Sequence, residues 1–411
     1  MRARLGAPLP ARLGVAVSGG SDSLALMVLL AEMARQDGTE LVVATVDHGL
    51  RRESRAEALQ VTEQAQALGL THDILTWTDH PAGGNLQGEA RAARYRLLAT
   101  WSRARGAAGV AVGHTAEDQA ETVLMRLRRA SGVTGLAAMA VRSQREGVEI
   151  LRPLLGVRRA DLRRSLLARG MTWIEDPSNS DDRFERVRMR NAMEALAPLG
   201  LTVEALSQVA ENMQRADQAL GSMVSEVAAR IASVQLGAVR LDLTGFYAQP
   251  EEIGRRLLLA GLAYVSGGVY APRREALEEA LMRLSRGQGG TLQGCRMLVK
   301  RDTLWITREW NAVRDRSSPA LSQRTDWDGA WRIAHAGAPA EGVEIRPLGA
   351  EGLKSVANWR DLGLPREVLL PLPSLWKGGA FLLAPLLQSH PDWTCAAIRP
   401  PATWASGSLS H

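Results

Sequence analysis

The residues best equipped for chemistry lie in a few short blocks of the amino-terminal half. The first is Ser18-Gly19-Gly20-Ser21-Asp22-Ser23. Two adjacent glycines allow a tight turn that brings backbone N–H groups close to an anion. A helix opening at that point adds its partial positive charge. The hydroxyls of Ser18, Ser21 and Ser23 are further donors. Asp22 cannot hold phosphate, because like charges repel. It suits either a Mg²⁺ ligand or a helix cap. No lysine follows, so the block is not a GxxxxGK[ST] loop.

Three more blocks follow. Asp47-His48 sits where an acidic residue of a nucleotide fold reaches a ribose or base, although His48 is equally well read as a satisfied loop histidine. Arg91 and Arg94 are three apart on one helical face, suited to one phosphate group or to a solvated basic surface. Gly113-His114-Thr115-Ala116-Glu117-Asp118-Gln119-Ala120-Glu121 opens a helix with three carboxylates. His114 shares a face with Asp118, and Asp118 with Glu121. Such acids complement the helix dipole. Facing a phosphate loop, they can also hold Mg²⁺ or an ammonium group.

These blocks need a scaffold, and the pattern of residues 12–150 supplies one. Strands are expected at 13–17, 41–46, 71–77 and 110–112, and helices at 22–35, 53–68, 89–103 and 115–129. Alternation of this kind implies an α/β fold, a doubly wound parallel sheet with helices on both faces. Ligands of such sheets sit at the carboxyl ends of the strands, where every block above falls. Helices at 157–169 and from about 183 flank a polar loop at 175–182. Pro198 and Gly200 mark a boundary, giving a first domain of 1–197. Residues 198–310 read as a mostly helical second domain with short strands near 239–243, 297–300 and 304–307. Residues 311–330 read as a linker, and 331–411 as a small β-containing domain.

The chain has 411 residues, 45% of them apolar, enough for several cores. Its net charge of +6 is compatible with a polyanionic partner. Lysine occurs only at Lys300, Lys354 and Lys377. Arginine forks bind phosphate bidentately, but an arginine bias of the genome is the simpler account. The cysteines, Cys295 and Cys395, form no CxxC and give neither a disulfide framework nor a zinc cluster. The first residues are too few and too polar for a signal peptide, and no run of about 18 apolar residues occurs. A cytoplasmic location with no membrane partner is the expectation.

The block at 18–23 matches SGGxDS, the signature of the PP-loop ATP pyrophosphatases. With DHGLR (47–51), ARAARY (90–95), GHTAEDQAET (113–122), RASGVTGL (129–136), RPLL (152–155) and EDPSNSDDRF (175–184), the chain resembles the tRNA(Ile)-lysidine synthetases, a branch of that group. The family usually has two aspartates where this chain has Glu117-Asp118. The match weakens after Asn191, and only IRPLG (345–349) and LPREVLLPLPSLW (364–376) are similar to the family's carboxyl-terminal domain.

The resemblance implies an adenine nucleotide alpha hydrolase-like fold and a bacterial ligase using ATP and Mg²⁺. The wobble cytidine of a CAU anticodon in tRNA-Ile is adenylated with loss of pyrophosphate. The side-chain amine of free L-lysine then displaces AMP, forming lysidine and changing codon recognition from AUG to AUA. It implies Ser18, Gly19, Gly20, Ser21, Asp22, Ser23, Asp47, His48, Arg91, Arg94, Gly113 and His114 around ATP, with Asp22 on the metal. Asp118 and Glu121 would hold the lysine, and His114 is the candidate proton acceptor. Arg126, Arg128, Arg129, Arg183, Arg186, Arg188 and Arg190 would meet the tRNA. The modules 198–310 and 331–411 would read tRNA shape. A homodimer is compatible with this reading. Two rivals are a PP-loop tRNA thiolase, which needs a sulfur carrier by the loop, and a small-molecule amidating ligase, which needs no such modules. A third, an RNA-binding protein with a decayed loop, conflicts with intact Asp22, Asp118 and Glu121.

Overall fold

The structure is a computed structural model. It describes all residues except 7, 51–52, 81–85, 176–184, 269–270, 321–323, 338–340, 402–403 and 406–411. Arg51, Arg183 and nearly all of the 175–184 block lie outside the described residues. The chain divides into two units, Met1–Asp217 and Gln218–His411.

The first unit runs α1 (Arg2–Leu5), β1 (Arg12–Ala16), α2 (Ser21–Asp37), β2 (Glu40–Asp47), α3 (Ser54–Ala67), β3 (Thr71–Thr76), α4 (Leu86–Arg105), β4 (Val110–Val112), α5 (Ala116–Arg128), α6 (Val133–Leu136), β5 (Arg142–Arg145), β6 (Val148–Leu151), α7 (Arg159–Leu167) and α8 (Glu185–Leu196). Six strands form one sheet in the order β3-β2-β1-β4-β6-β5. All neighbours are parallel except β5 and β6. The expected doubly wound sheet is therefore present, with an antiparallel edge.

Period-two alternation explains the layers. Leu13, Val15, Leu41, Val43 and Ala111 face a core shared with α2, α3 and α7. Ala16, Val42, Ala44, Val110 and Val112 face the opposite core, with Leu98, Ala99 and Trp101 of α4. Ten of the 17 residues of α2 are buried, so this helix is central rather than amphipathic. Each fully buried leucine there, such as Leu26 or Leu30, contributes about 1.5–3 kcal/mol. The chain order reverses between β1 and β4, and that switch point opens the crevice in which such sheets bind ligands.

The hairpin β5–β6 was not expected from the sequence. Arg142, Gln144 and Arg145 hide a strand in polar residues because it is a sheet edge. Its turn, Glu146-Gly147, has both φ angles positive, at 50° and 73°. Ala130, between α5 and α6, is also left-handed at φ 50° and is exposed. Relieving that strain by Ala130→Gly should raise unfolding free energy by about 0.5–1 kcal/mol, measured by denaturant titration.

Beyond a 3-10 turn at Ala197–Leu199, α9 (Val203–Ile231) crosses the division between the units. The second unit continues with β7 (Ala232–Gln235), β8 (Ala238–Asp242), α10 (Leu243–Tyr247), α11 (Glu251–Ser266), α12 (Arg274–Ser285), β9 (Gly290–Leu292), β10 (Cys295–Lys300) and β11 (Thr303–Arg308). Here the sequence reading understated the strands. A five-stranded antiparallel sheet, β7-β8-β11-β10-β9, shares one core with α11 and α12. The short strands β7 and β9 carry too few apolar residues to stand out. The rest is α13 (Trp310–Val313), β12 (Ser318–Pro319), β13 (Arg324–Trp327), β14 (Trp331–His335), β15 (Val343–Pro347), α14 (Gly349–Lys354), α15 (Arg366–Leu369), β16 (Pro373–Lys377), β17 (Ala380–Leu383) and β18 (Trp393–Ala397). They build a four-stranded and a three-stranded sheet around a core that includes Val313, Trp327 and Ile345. The expected linker is thus largely structured, since Val313 and Trp327 anchor it. Buried Asp328 holds it further by pairing with Arg308 at 2.7 Å and Arg316 at 2.8 Å. No helix among the described residues is long and apolar enough to cross a membrane.

Candidate active site

The turn after β1 is built from its own hydroxyls. Ser23 Oγ accepts from the Ser18 N–H at 3.1 Å and donates to Gly20 O at 3.1 Å. Ser18 Oγ lies 3.2 Å from it. Since the single Ser23 hydrogen is committed to Gly20, Ser18 is the donor of that pair. Ser23 therefore braces the loop, whereas exposed Ser18 stands at its mouth. Gly19 has φ +88°, and a Cβ there would lie 2.4 Å from Ile174 Cδ1. The Ile174 N–H also donates to Gly19 O at 3.0 Å. Ile174, absent from the sequence reading, thus packs against the turn and needs a glycine opposite it.

Gly113 brings the second block to the first. A Cβ on it would lie 2.9 Å from Ser23 Cα and 3.1 Å from the Asp22 carbonyl carbon. These are backbone atoms at the start of α2, which cannot swing aside. Gly113→Ala is expected to push the two loops apart by tenths of an ångström and to lower turnover about tenfold, with smaller effect on ATP affinity, read from pyrophosphate-release kinetics.

Three carboxylates and one guanidinium then meet at the switch point. Arg159 Nε donates to Asp22 Oδ2 at 2.8 Å, and Arg159 Nη2 lies 3.8 Å from Asp118 Oδ2. Burial lifts the Asp22 carboxyl above the usual carboxylate range against the pull of Arg159, and the charge of Asp118 adds to the rise. Asp118 closes a capping box, accepting from the Thr115 N–H at 2.8 Å and the Thr115 hydroxyl at 3.0 Å. Burial opposes its charge, but the Thr115 N–H bond and the Arg159 charge help to outweigh that, and Asp118 lies below the usual range.

Glu121 is fully buried, one turn on from Asp118. Its Oε1 accepts from Arg190 Nε at 3.1 Å, while Oε2 has no hydrogen-bond partner among the described residues. Burial, then the Asp118 charge, raises its carboxyl above the usual range despite Arg190. Arg190, expected on the tRNA, is drawn into this acid cluster by Glu121. Glu117 holds the scaffold: its Oε1 accepts from Arg158 Nε at 2.8 Å and its Oε2 from the Arg159 N–H at 3.0 Å. It thus satisfies a first-turn amide of α7. Burial holds His114 as neutral imidazole against the pull of Asp118, with Arg152, Arg94 and Arg186 acting in the same direction as burial. Its Nδ1 is buried without a partner among the described residues. A weakly basic imidazole is suited to hydrogen bonding, not to taking up a proton at neutral pH.

The β2 end lies beside this cluster. Asp47 Oδ1 accepts from the Gly49 N–H at 2.9 Å and the Ser54 hydroxyl at 2.7 Å, so it closes its own turn and starts α3. His48 stands edge-on to Trp77 with ring centroids 6.1 Å apart. Burial, then the charge of Arg94, lowers its pKa. Arg94 thus acts on His48 and on His114, which brings the β2, α4 and β4 blocks to one site. Arg91 stacks over Tyr95 at 5.4 Å from the ring centroid. Arg152 is buried and donates to Ala140 O and Ser143 Oγ, each at 2.9 Å. Arg128 and Arg129 both pair with Glu185 yet stay more than half exposed.

No cluster of three or more His, Cys, Asp or Glu side chains able to hold a metal occurs among the described residues. Mg²⁺ does not require one, because it binds through one or two carboxylates together with substrate phosphates and water. The hard oxygens of Asp22, beside those of Asp118 and next to the phosphate turn, fit that coordination.

The PP-loop domain family matches residues 5–196. Over its whole length the chain is 45% identical to the tRNA(Ile)-lysidine synthase of Ruegeria pomeroyi, spanning 97% of that protein. It is 42% identical to that of a Bradyrhizobium species over 68% of this chain and 83% of the relative. For Wolbachia pipientis wMel the figures are 34%, 91% and 88%. Coverage so nearly complete on both sides extends the match well beyond the PP-loop domain: the chain belongs to the tRNA(Ile)-lysidine synthase family.

Proposed function

We propose that this protein joins L-lysine to the wobble cytidine of the CAU anticodon of tRNA-Ile, in two steps at the switch point of its first unit. The observation carrying this reading is Glu121: a buried carboxylate oxygen with no partner among the described residues, one helical turn on from Asp118, suits an ammonium group. In the first step the turn 18–23 and the start of α2 hold the triphosphate, and the cytosine oxygen attacks the α-phosphorus as pyrophosphate leaves. Mg²⁺, held by Asp22 with help from Asp118, would neutralise charge growing on the departing pyrophosphate.

In the second step Asp118 and Glu121 receive the lysine side chain. Its nitrogen must lose a proton before attacking the activated ring carbon. Burial raises the carboxyls of both Asp22 and Glu121, but Asp22 is assigned to the metal, so Glu121 replaces His114 as our assignment for the acceptor. Exposed Arg128, Arg129 and Arg188 are suited to RNA phosphates. Regions 198–310 and 331–411 are assigned to tRNA recognition, since tRNA-Met shares the anticodon and must be excluded elsewhere. The work on tRNA implies a cytoplasmic enzyme.

The thiolase alternative is disfavoured by Cys295 and Cys395. Both belong to the second unit, and burial pushes both thiols up to about 12, so neither is a thiolate. The deciding experiment supplies ATP, Mg²⁺ and labelled lysine with tRNA-Ile(CAU) or tRNA-Met. Label in the first RNA only, with AMP and pyrophosphate released, is expected. No labelled nucleoside in either RNA refutes the assignment.

A further inference from the structure

The geometry points to Arg159 as a surrogate cation that occupies the space between Asp22 and Asp118 and keeps a divalent metal out until a nucleotide arrives. This inference rests on the reading of Asp22 as the metal ligand, and it assigns Arg159 a positioning role.

Three features carry it. The guanidinium touches Asp22 at 2.8 Å and reaches towards Asp118 at 3.8 Å, so one cation serves two acids. All three side chains are largely buried, at 21%, 19% and 12% exposure for Arg159, Asp22 and Asp118. The arginine is also fixed from behind. Glu117 accepts from its backbone N–H, and Arg163, one turn on, reaches Ser21 Oγ at 3.4 Å. Leu162 and Leu166 seat α7 in the core beside α2. The guanidinium is therefore built into the wall, not draped over it.

A metal entering this site alone must displace Arg159 from Asp22 and leave a partly buried guanidinium without its acid. It gains only two carboxylates and water in return. A nucleotide changes both sides of that balance. Its phosphates add oxygen ligands for the metal and offer the released arginine a new anion. Metal and nucleotide binding are thus positively coupled through Arg159, and the coupling is reciprocal. The arrangement prevents the acids from trapping a metal without its nucleotide.

Mn²⁺ is the probe, titrated into nucleotide-free protein and followed by the loss of the free-ion paramagnetic resonance signal. Wild type is expected to bind weakly. Arg159→Ala and Arg159→Gln should each bind one Mn²⁺ at least about tenfold more tightly, a usual size for such couplings. Adding Asp22→Asn to either should abolish the gain. Circular dichroism identifies variants that fold. Unchanged or weaker Mn²⁺ binding by folded Arg159 variants overturns the proposal. So does tight nucleotide-free binding by wild type itself, a result that depends on no variant. Neither RNA nor lysine enters this assay. Failure to make lysidine with the Mn²⁺ pattern intact would therefore sink the assigned reaction and leave the role of Arg159 standing.

Discussion

Asp22→Asn is expected to slow pyrophosphate release by about 10³-fold with little change in folding. The size follows from what the proposed role of Asp22 would lose: a charged metal ligand aimed at charge that develops only as the phosphate bond breaks, a contribution of about 3–4 kcal/mol. Asparagine keeps the shape and still offers an oxygen to Arg159 Nε. The native charge is disfavoured by burial and by Asp118, so the neutral side chain relieves a penalty as it loses an ion pair. Stability should accordingly move by no more than about 1 kcal/mol, the range of ordinary substitutions. The measurement pairs tRNA-dependent pyrophosphate release with a thermal melt. Release within tenfold of wild type would remove Asp22 from the chemistry, and a collapsed melt would make it a structural residue.

What the sequence disclosed and what it withheld differ in range along the chain. The phosphate turn, the β4–α5 block and the parallel sheet depend on local signals: paired glycines, a capping box, alternating apolar strands. Each is written within a dozen residues. Arg159 was missed because its partner Asp22 is 137 positions away, and no local pattern separates it from neighbouring arginines in an arginine-rich chain. The same distance problem hid the pairing of Arg190 with Glu121, 69 positions away. Glu117 was read only as one of three acids opening α5, with no role of its own; its longer arm reaches the start of α7 and serves the scaffold. A cue was available: Arg158 and Arg159 come two residues beyond the RPLL block, and an acid with no role in the site needs a base. The strands β5, β7 and β9 were hidden for another reason. Edge strands bury little, so their sequences carry little alternation.

Glu121→Gln is expected to lower turnover per unit lysine by about 10²-fold while ATP-dependent pyrophosphate release falls far less. Removing one partner from a buried charge pair costs about 2–5 kcal/mol, and in the proposed mechanism the pair is this carboxylate with the substrate's ammonium. Glutamine fills the same volume, so the loss is one of charge and proton affinity, not of packing. The pH dependence provides a second readout. The carboxyl must be ionised to attract the ammonium and to accept its proton. Lysine transfer by wild type should therefore rise with pH through the raised pKa of Glu121, and that limb should vanish in the variant. Stability carries the opposite sign. Because the folded pKa lies above the unfolded one, the native state binds more protons between the two values, and wild-type stability declines as pH rises across that interval. The whole penalty persists above it. Glutamine has no such penalty. Arg190, one-third exposed, can turn to solvent when its acid is neutralised. Denaturant titrations at pH 5 and pH 8 should thus find the variant no less stable than wild type at the higher pH. A protein that loses lysine transfer and stability together at pH 8 would instead mean that the Glu121–Arg190 pair holds α5 to α8. The partnerless oxygen would then be no guide to where the substrate amine goes.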